Sequence, residues 1–249
     1  MKISPLLWLA LLAFGSSLAF TSCSKDDDDQ AGQAALGLEF EYLVNGEAFD
    51  TARVYEINGT AVKFSIAQFY VGGIAVVDLD GRETAMEGKY LLVKPESGLQ
   101  QAGAMALGHA HEFRFFIGVG PEENNQSESD FTSRRADDPL SIQFPAMHWS
   151  WLTGYRFIRI DGRVDTKGDG TPDESLAFHI GTDPFLTHLE FTTHQDLKEG
   201  MNPIRFKFDV AKLFDNIDLS KDYVTHTGNN PELAERFRAN LVKAFQYGQ

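Results

Sequence analysis

From Leu38 onward the chain runs in short stretches of alternating apolar and polar residues, each closed by a turn signal. No other feature narrows the fold so far. Leu38, Phe40 and Tyr42 share one side of the first stretch, which ends at Asn45-Gly46. Asn58-Gly59 precedes a second alternating run, Ala61 to Phe69, and the apolar run Tyr70 to Leu79 closes at Asp80-Gly81. Asn-Gly and Asp-Gly supply the positive φ angles that tight hairpins need, while period-two spacing turns one strand face toward a core. Tyr90 to Val93 is stopped by Lys94-Pro95, and Glu112 to Val119 alternates again. Strands of this length, with turn signals about every ten to fifteen residues and no strand–helix–strand spacing, predict an all-β fold, an antiparallel β-sandwich. Only Pro231 to Phe245 has a helical pattern, with Leu233, Phe237, Leu241 and Phe245 at every fourth position. Asn229 or Asn230 can cap that helix, with Pro231 as its first residue.

The amino terminus follows different rules. Lys2, the apolar stretch Leu6 to Phe14 and the small residues up to Ser22 have the build of an export signal. Cys23 is the chain's only cysteine, so no internal disulfide can form, and its place directly after that stretch marks a lipidation site. Residues 1–22 are thus expected to be a lipoprotein signal peptide, 23–37 an acidic tether and linker, and 38–249 one folded domain. The tether Ser24 to Asp29 resembles the surface-export tag of Bacteroidetes lipoproteins, which implies an outer-membrane lipoprotein on the cell surface or the periplasmic face. The net charge of −14 argues against nucleic acid and anionic head groups as partners, since both require clustered Lys and Arg.

The chain has no Gly-x-Ser-x-Gly elbow, phosphate loop, Cys-x-x-Cys or His-Glu-x-x-His, so an enzyme is not expected. Several stretches carry ligand-type residues instead. His109 and His111 share one face at the head of a strand, as a two-histidine clip would, although two exposed histidines can equally just end a loop. Asp165, Asp169 and Asp173 surround Gly170 in a sequence like a calcium loop. Lys167, however, stands where an oxygen ligand belongs, and an acidic hairpin turn is the simpler reading. The polar segment Pro121 to Pro139 reads as a solvated excursion. His179 lies in a strand-like run, and His226 sits just ahead of the terminal helix. In Met147 to Gly162, MHWSWLTGYRFIRIDG, alternation puts Met147, Trp149 and Trp151 on one face and His148 on the other, until Gly154 interrupts with a bulge or bend.

Taken together, several of these segments resemble the MbnP-like family, copper-associated β-sandwich proteins related to the MopE/CorA surface copper proteins. They are LEFEYLVNG, KFSIAQFYVGGIAVVDLDG, MHWSWLTGYRFIRIDG, LAFHIG, KFDVAKLFDNID and VTHTGNNPELAERFRANLVKAF. The Trp-x-Trp-x-x-Gly-Tyr segment is the most specific, whereas Val71-Gly72-Gly73 departs from the pattern. The resemblance implies that a tryptophan, Trp149 or Trp151, is oxidised to kynurenine by a di-haem partner of the MauG type. It also implies that copper is held by histidines drawn from His148, His179 and His226, in the service of copper acquisition or redox partnering. Histidines within coordination distance of one another and beside a tryptophan would support that function. A shallow exposed aromatic platform would instead favour a metal-free adhesion or glycan-binding lipoprotein.

Overall fold

The computed structural model describes residues 32–150 and 153–248. Cys23 and the signal and tether segments, together with Trp151, lie outside them. Seven strands carry the architecture: β1 (Gln33–Val44), β2 (Thr60–Val77), β3 (Gly108–Ile117), β4 (Gly154–Val164), β5 (Glu174–Gly181), β6 (Thr187–Leu197) and β7 (Gly200–Asp209). One sheet is ordered Phe245–Gly248, β7, β1, Glu47–Ala48, with Gln100–Ala106 also pairing with β1. The other runs β6, β3, β2, β4, β5 and then the short strand Val224–Thr225. The sheets meet through aromatic rings: Phe40 of the first packs edge-on against Phe69 of the second at 5.3 Å, and Phe69 against Phe208 at 4.9 Å. The expected β-sandwich is present.

Its pairing is mixed rather than purely antiparallel. β1 and β7 run parallel, with Leu38 opposite Ile204, Phe40 opposite Phe206 and Tyr42 opposite Phe208. Parallel neighbours need a long crossover. Here almost the whole second sheet lies between the two partners in sequence, and no local turn signal reports such a pairing. β1 also begins earlier than composition suggests. Ala34 and Leu36, inside the stretch expected to be linker, are fully buried.

The second sheet is covered on both faces, for a reason visible in β2. Phe69 points into the main core, and its neighbour Tyr70 into a smaller cluster with Leu140, Met147, Tyr155 and Phe157. The segment expected to be a solvated excursion builds much of that cover. It folds into two short helices, Pro121–Asn124 and Glu128–Thr132, and buries Phe131, with the buried Leu140 just beyond its end. Asn124, also buried, accepts a hydrogen bond from the Tyr155 amide at 2.8 Å and donates to Asp183 at 2.7 Å. A few buried anchors hold a segment whose other residues are polar, which is why its composition misleads.

The C-terminal helix, Pro231–Ala244, starts as its sequence indicates, with the Asn230 side chain accepting from the Leu233 amide at 3.1 Å. Leu233, Phe237 and Leu241 are buried, and Phe237 stacks on Phe178 of β5 at 5.0 Å. Phe245 opens the final strand instead of closing the helix.

Candidate functional site

Two neighbouring strands and one loop build the site on the outer face of the second sheet. On β4, Arg159 and Asp161 are two residues apart and share a face; on β5, His179 lies directly opposite Arg159. Phe178 and Ile180, flanking His179, go to the core, so strand alternation directs the histidine outward. It is nevertheless only 7% exposed. Val224–Thr225 pairs parallel with β5 opposite Ala177 and Phe178, and this brings the next residue, His226, to His179.

The two imidazoles meet nitrogen to nitrogen, His226 Nδ1 to His179 Nδ1, at 2.9 Å. On its far side His179 Nε2 lies 2.5 Å from Asp161 Oδ1. A carboxylate only accepts, so hydrogen bonding assigns the His179 proton to Nε2 and leaves the lone pair on Nδ1, facing His226. Burial acts to raise the Asp161 carboxyl, but the hydrogen bonds and charges of His179 and Arg159 outweigh it and hold the group below the usual carboxylate range. Arg159 pairs with Asp161 at 2.6 Å. His226 is pushed below the ordinary imidazole value by burial, then by the charges of His179 and Arg156, and therefore stays neutral at physiological pH.

The loop that carries His226 is pinned. Thr227 Oγ1 donates to the His179 carbonyl at 2.9 Å and accepts from the Gly181 amide at 3.1 Å. Thr227 has φ +61°, an uncommon conformation for a β-branched residue. The Asn229 side chain accepts from the His226 amide at 2.7 Å.

Trp149 reaches the same neighbourhood from the hairpin strand His148–Ser150, which pairs with the start of β4. Its indole lies over Gly181, two residues beyond His179. A Cβ at Gly181 would sit 2.6 Å from the indole and 2.2 Å from the Tyr155 carbonyl, so only glycine fits there. The Arg156 guanidinium stacks on the Trp149 ring at 5.2 Å.

His148 goes elsewhere. Its ring stacks on Phe131 at 3.9 Å and meets Tyr155 edge-on at 4.7 Å, on the side away from Trp149. Burial, and then Arg156, lowers its pKa to about 4. The structure thus joins His179 and His226 and leaves out the third histidine expected with them. Met147 also departs from the expected alternation, because its side chain enters the same small core that His148 flanks. Gly154 makes the expected interruption: it has φ +71°, and the register shifts between it and Tyr155.

The calcium-like loop is an acidic hairpin turn. Asp165 accepts from the amides of Lys167, Gly168 and Gly170 at 2.9, 2.8 and 2.6 Å, while Asp169 accepts from Thr171. The Lys167 ammonium pairs with Asp173, so a cation of the chain's own occupies one of the loop's carboxylates. Among the described residues, no group of three or more His, Cys, Asp or Glu side chains is gathered tightly enough to hold a metal as it stands.

Residues 33–230 match the sequence model of the MbnP family. The chain belongs to that family. MbnP from Methylosinus trichosporium has a similar structure, with a TM-score of 0.53 at 19% identity, over 76% of this chain and 80% of that one. At this identity the likeness concerns the fold alone. No curated protein matches the chain. The family is linked to copper-related function, and the matched span contains Trp149, Asp161, His179 and His226.

Sequence reasoning reached both histidines of the pair and missed the groups that orient them. Arg159 and Asp161 gave a usable signal, since opposite charges two apart in a strand share a face and can pair. Thr227 gave none.

Proposed function

We propose that this protein binds copper through His179 and His226, with Trp149 beside the pair. The observation that supports this reading is the 2.9 Å approach of the two Nδ1 atoms, with the other nitrogen of His179 held by Asp161. A metal-ligating imidazole ordinarily donates its second N–H to a carboxylate, which fixes the tautomer and aims the lone pair. Asp161 does this for His179 before any metal arrives. Nitrogen donors in low number suit Cu(I), so the residues present fit that ion better than a hard cation. The suppressed basicity of His226 acts in the same direction, because a ligand must be neutral. Slight separation of the rings, with the His226 proton carried on Nε2 instead of Nδ1, would let the ion take the place of the hydrogen bond.

Trp149 is the residue proposed for oxidation to kynurenine by a di-haem MauG-type partner, which would place an aromatic amine near the histidines. Its position over Gly181 and under Arg156 supports this choice. The protein would act without catalysis of its own, as a lipid-anchored outer-membrane protein serving copper acquisition or redox partnering. A glycan-binding platform has less support. Among the described residues Phe144 is the only strongly exposed Phe, Tyr or Trp, and one ring does not make a stacking surface.

The test combines native and recombinant protein. Cu(I) titration against a competing chelator should show affinity falling more than about a hundredfold in His179→Ala and in His226→Ala, a loss of about 2.7 kcal/mol or more. Equal affinity in all three proteins would refute the site. Fragment-ion mass spectrometry of protein from its native host should place the oxidation on Trp149; an unmodified residue there would remove the kynurenine proposal and leave the histidine pair standing. Cys23→Ala should release the protein from membranes, and retention would overturn the lipid anchor.

A further inference from the structure

Three of the chain's seven histidines gather far along the sheet from His179, in the hairpin-like pairing of β3 with the edge strand β6. His109 and His111 project from the same face of β3. Across the ladder Asp196 stands directly opposite His109, and its Oδ1 accepts from His109 Nδ1 at 2.7 Å. His194 lies in the register shift between Thr192 and Gln195, where β6 carries an extra residue. It has φ +47°, a strained left-handed conformation for a non-glycine residue, which persists only where its surroundings enforce it. This bulge turns His194 toward β3: its Nδ1 is 3.2 Å from His111 Nδ1, and its ring centre is 5.8 Å from that of His109. Buried Thr193 anchors the bulge by donating to the Ala110 carbonyl at 3.1 Å.

We propose that His109, His111 and His194, assisted by Asp196, form a second metal site on the protein surface that takes a divalent transition cation, Cu(II) in preference to Zn(II). The chemistry of the donors carries the choice. Imidazoles with one carboxylate suit Cu(II), Ni(II) and Zn(II), and Cu(II) binds most tightly of these at a given nitrogen site. Asp196 holds His109 by Nδ1, so Nε2 is the nitrogen that His109 offers a metal. His111 and His194 already direct Nδ1 atoms at one another. The donors are neighbours without converging on one point, and their side chains are partly or largely exposed and so free to turn. Stability gives little competing explanation for the arrangement, since a solvent-screened surface pairing contributes little against the strain at His194.

The proposal is independent of the copper reading of His179 and His226, and its test keeps the two apart. CuSO₄ is titrated against a competing chelator into the wild-type protein and into four variants: His179→Ala/His226→Ala, His111→Ala/His194→Ala, Asp196→Asn, and His188→Ala as a control for a lone surface imidazole. Circular dichroism of each verifies folding. Cu(II) should bind the His179→Ala/His226→Ala variant with wild-type affinity and give a paramagnetic resonance spectrum split by imidazole nitrogens. The His111→Ala/His194→Ala protein should lose that spectrum, and Asp196→Asn should weaken binding about tenfold to a hundredfold. ZnCl₂ should compete at the same site, more weakly. Cu(II) affinity unchanged by His111→Ala/His194→Ala, or lost equally in His188→Ala, would overturn the proposal.

Discussion

The His179–His226 pair and the His111–His194 pair both bring two Nδ1 atoms within hydrogen-bond distance, at 2.9 and 3.2 Å, yet the carboxylates beside them stand in opposite surroundings. His179 is almost wholly covered, and Asp161, which orients it, keeps only 17% of its side-chain surface exposed. In the other cluster, Asp196 holds His109 with 77% of its own side chain in water. Solvent screens the second pairing and leaves its side chains free to rotate, whereas the first is locked by Arg159, Thr227 and the strands beneath. The contrast shows how one ligand type can serve two purposes. A preorganised pair with few donors suits a soft, low-coordinate ion, and an adaptable surface group with a carboxylate suits a divalent one.

The comparison can be broken most forcefully from below. Phe237→Ala removes a fully buried ring that stacks on Phe178, next to His179, and should cost about 3–5 kcal/mol in denaturant unfolding. Cu(I) affinity at the His179–His226 pair should fall with it, while the His111–His194 cluster keeps its Cu(II). Equal losses at both would show that the two clusters are not separately supported. Gly181→Ala comes next. The added methyl meets the Tyr155 carbonyl and the Trp149 indole, so a loss of about 1–3 kcal/mol and a shifted tryptophan emission are expected. Unchanged stability and emission would mean that the indole does not rest on Gly181.

Asp161→Asn sharpens the contrast in orientation. It keeps the shape, removes the charge that fixes the His179 tautomer, and should weaken Cu(I) binding about tenfold to a hundredfold without changing Cu(II) at the surface. The smallest effect concerns His148, the histidine that packs instead of ligating. Its folded pKa, about 4, lies below the value near 6.5 expected when unfolded. The unfolded chain therefore binds the extra proton first. The stabilising contribution is complete above about pH 6.5 and is lost as pH falls toward about 4. His148→Phe keeps a ring on Phe131 and should flatten the stability–pH curve in that window; an unaltered slope would assign it to other groups.

The sandwich and its terminal helix were legible because they rest on local rules. Alternation set the faces, Asn-Gly and Asp-Gly set the turns, and Asn230-Pro231 set the helix start. The parallel pairing of β1 with β7 was not legible, since partners separated by the length of the domain leave no nearby mark. The segment from Pro121 to Pro139 misled because average polarity hides a single Phe131 that anchors it. At the site, His179 and His226 stood out as ligand-type residues, and alternation alone gave His148 a face opposite Trp149.

What the sequence determined by itself is therefore the class of fold and the supply of histidine ligands and tryptophans. Each of these depends on residue type and on spacings of a few positions. Only the tertiary structure decided which histidines meet. His226 reaches His179 across 47 residues through the parallel pairing of Val224–Thr225 with β5, and Asp161 crosses from the adjacent strand to orient the ring. Contacts of that kind follow from which strands become neighbours, and that is settled by burial of the whole apolar surface rather than by any one stretch of chain.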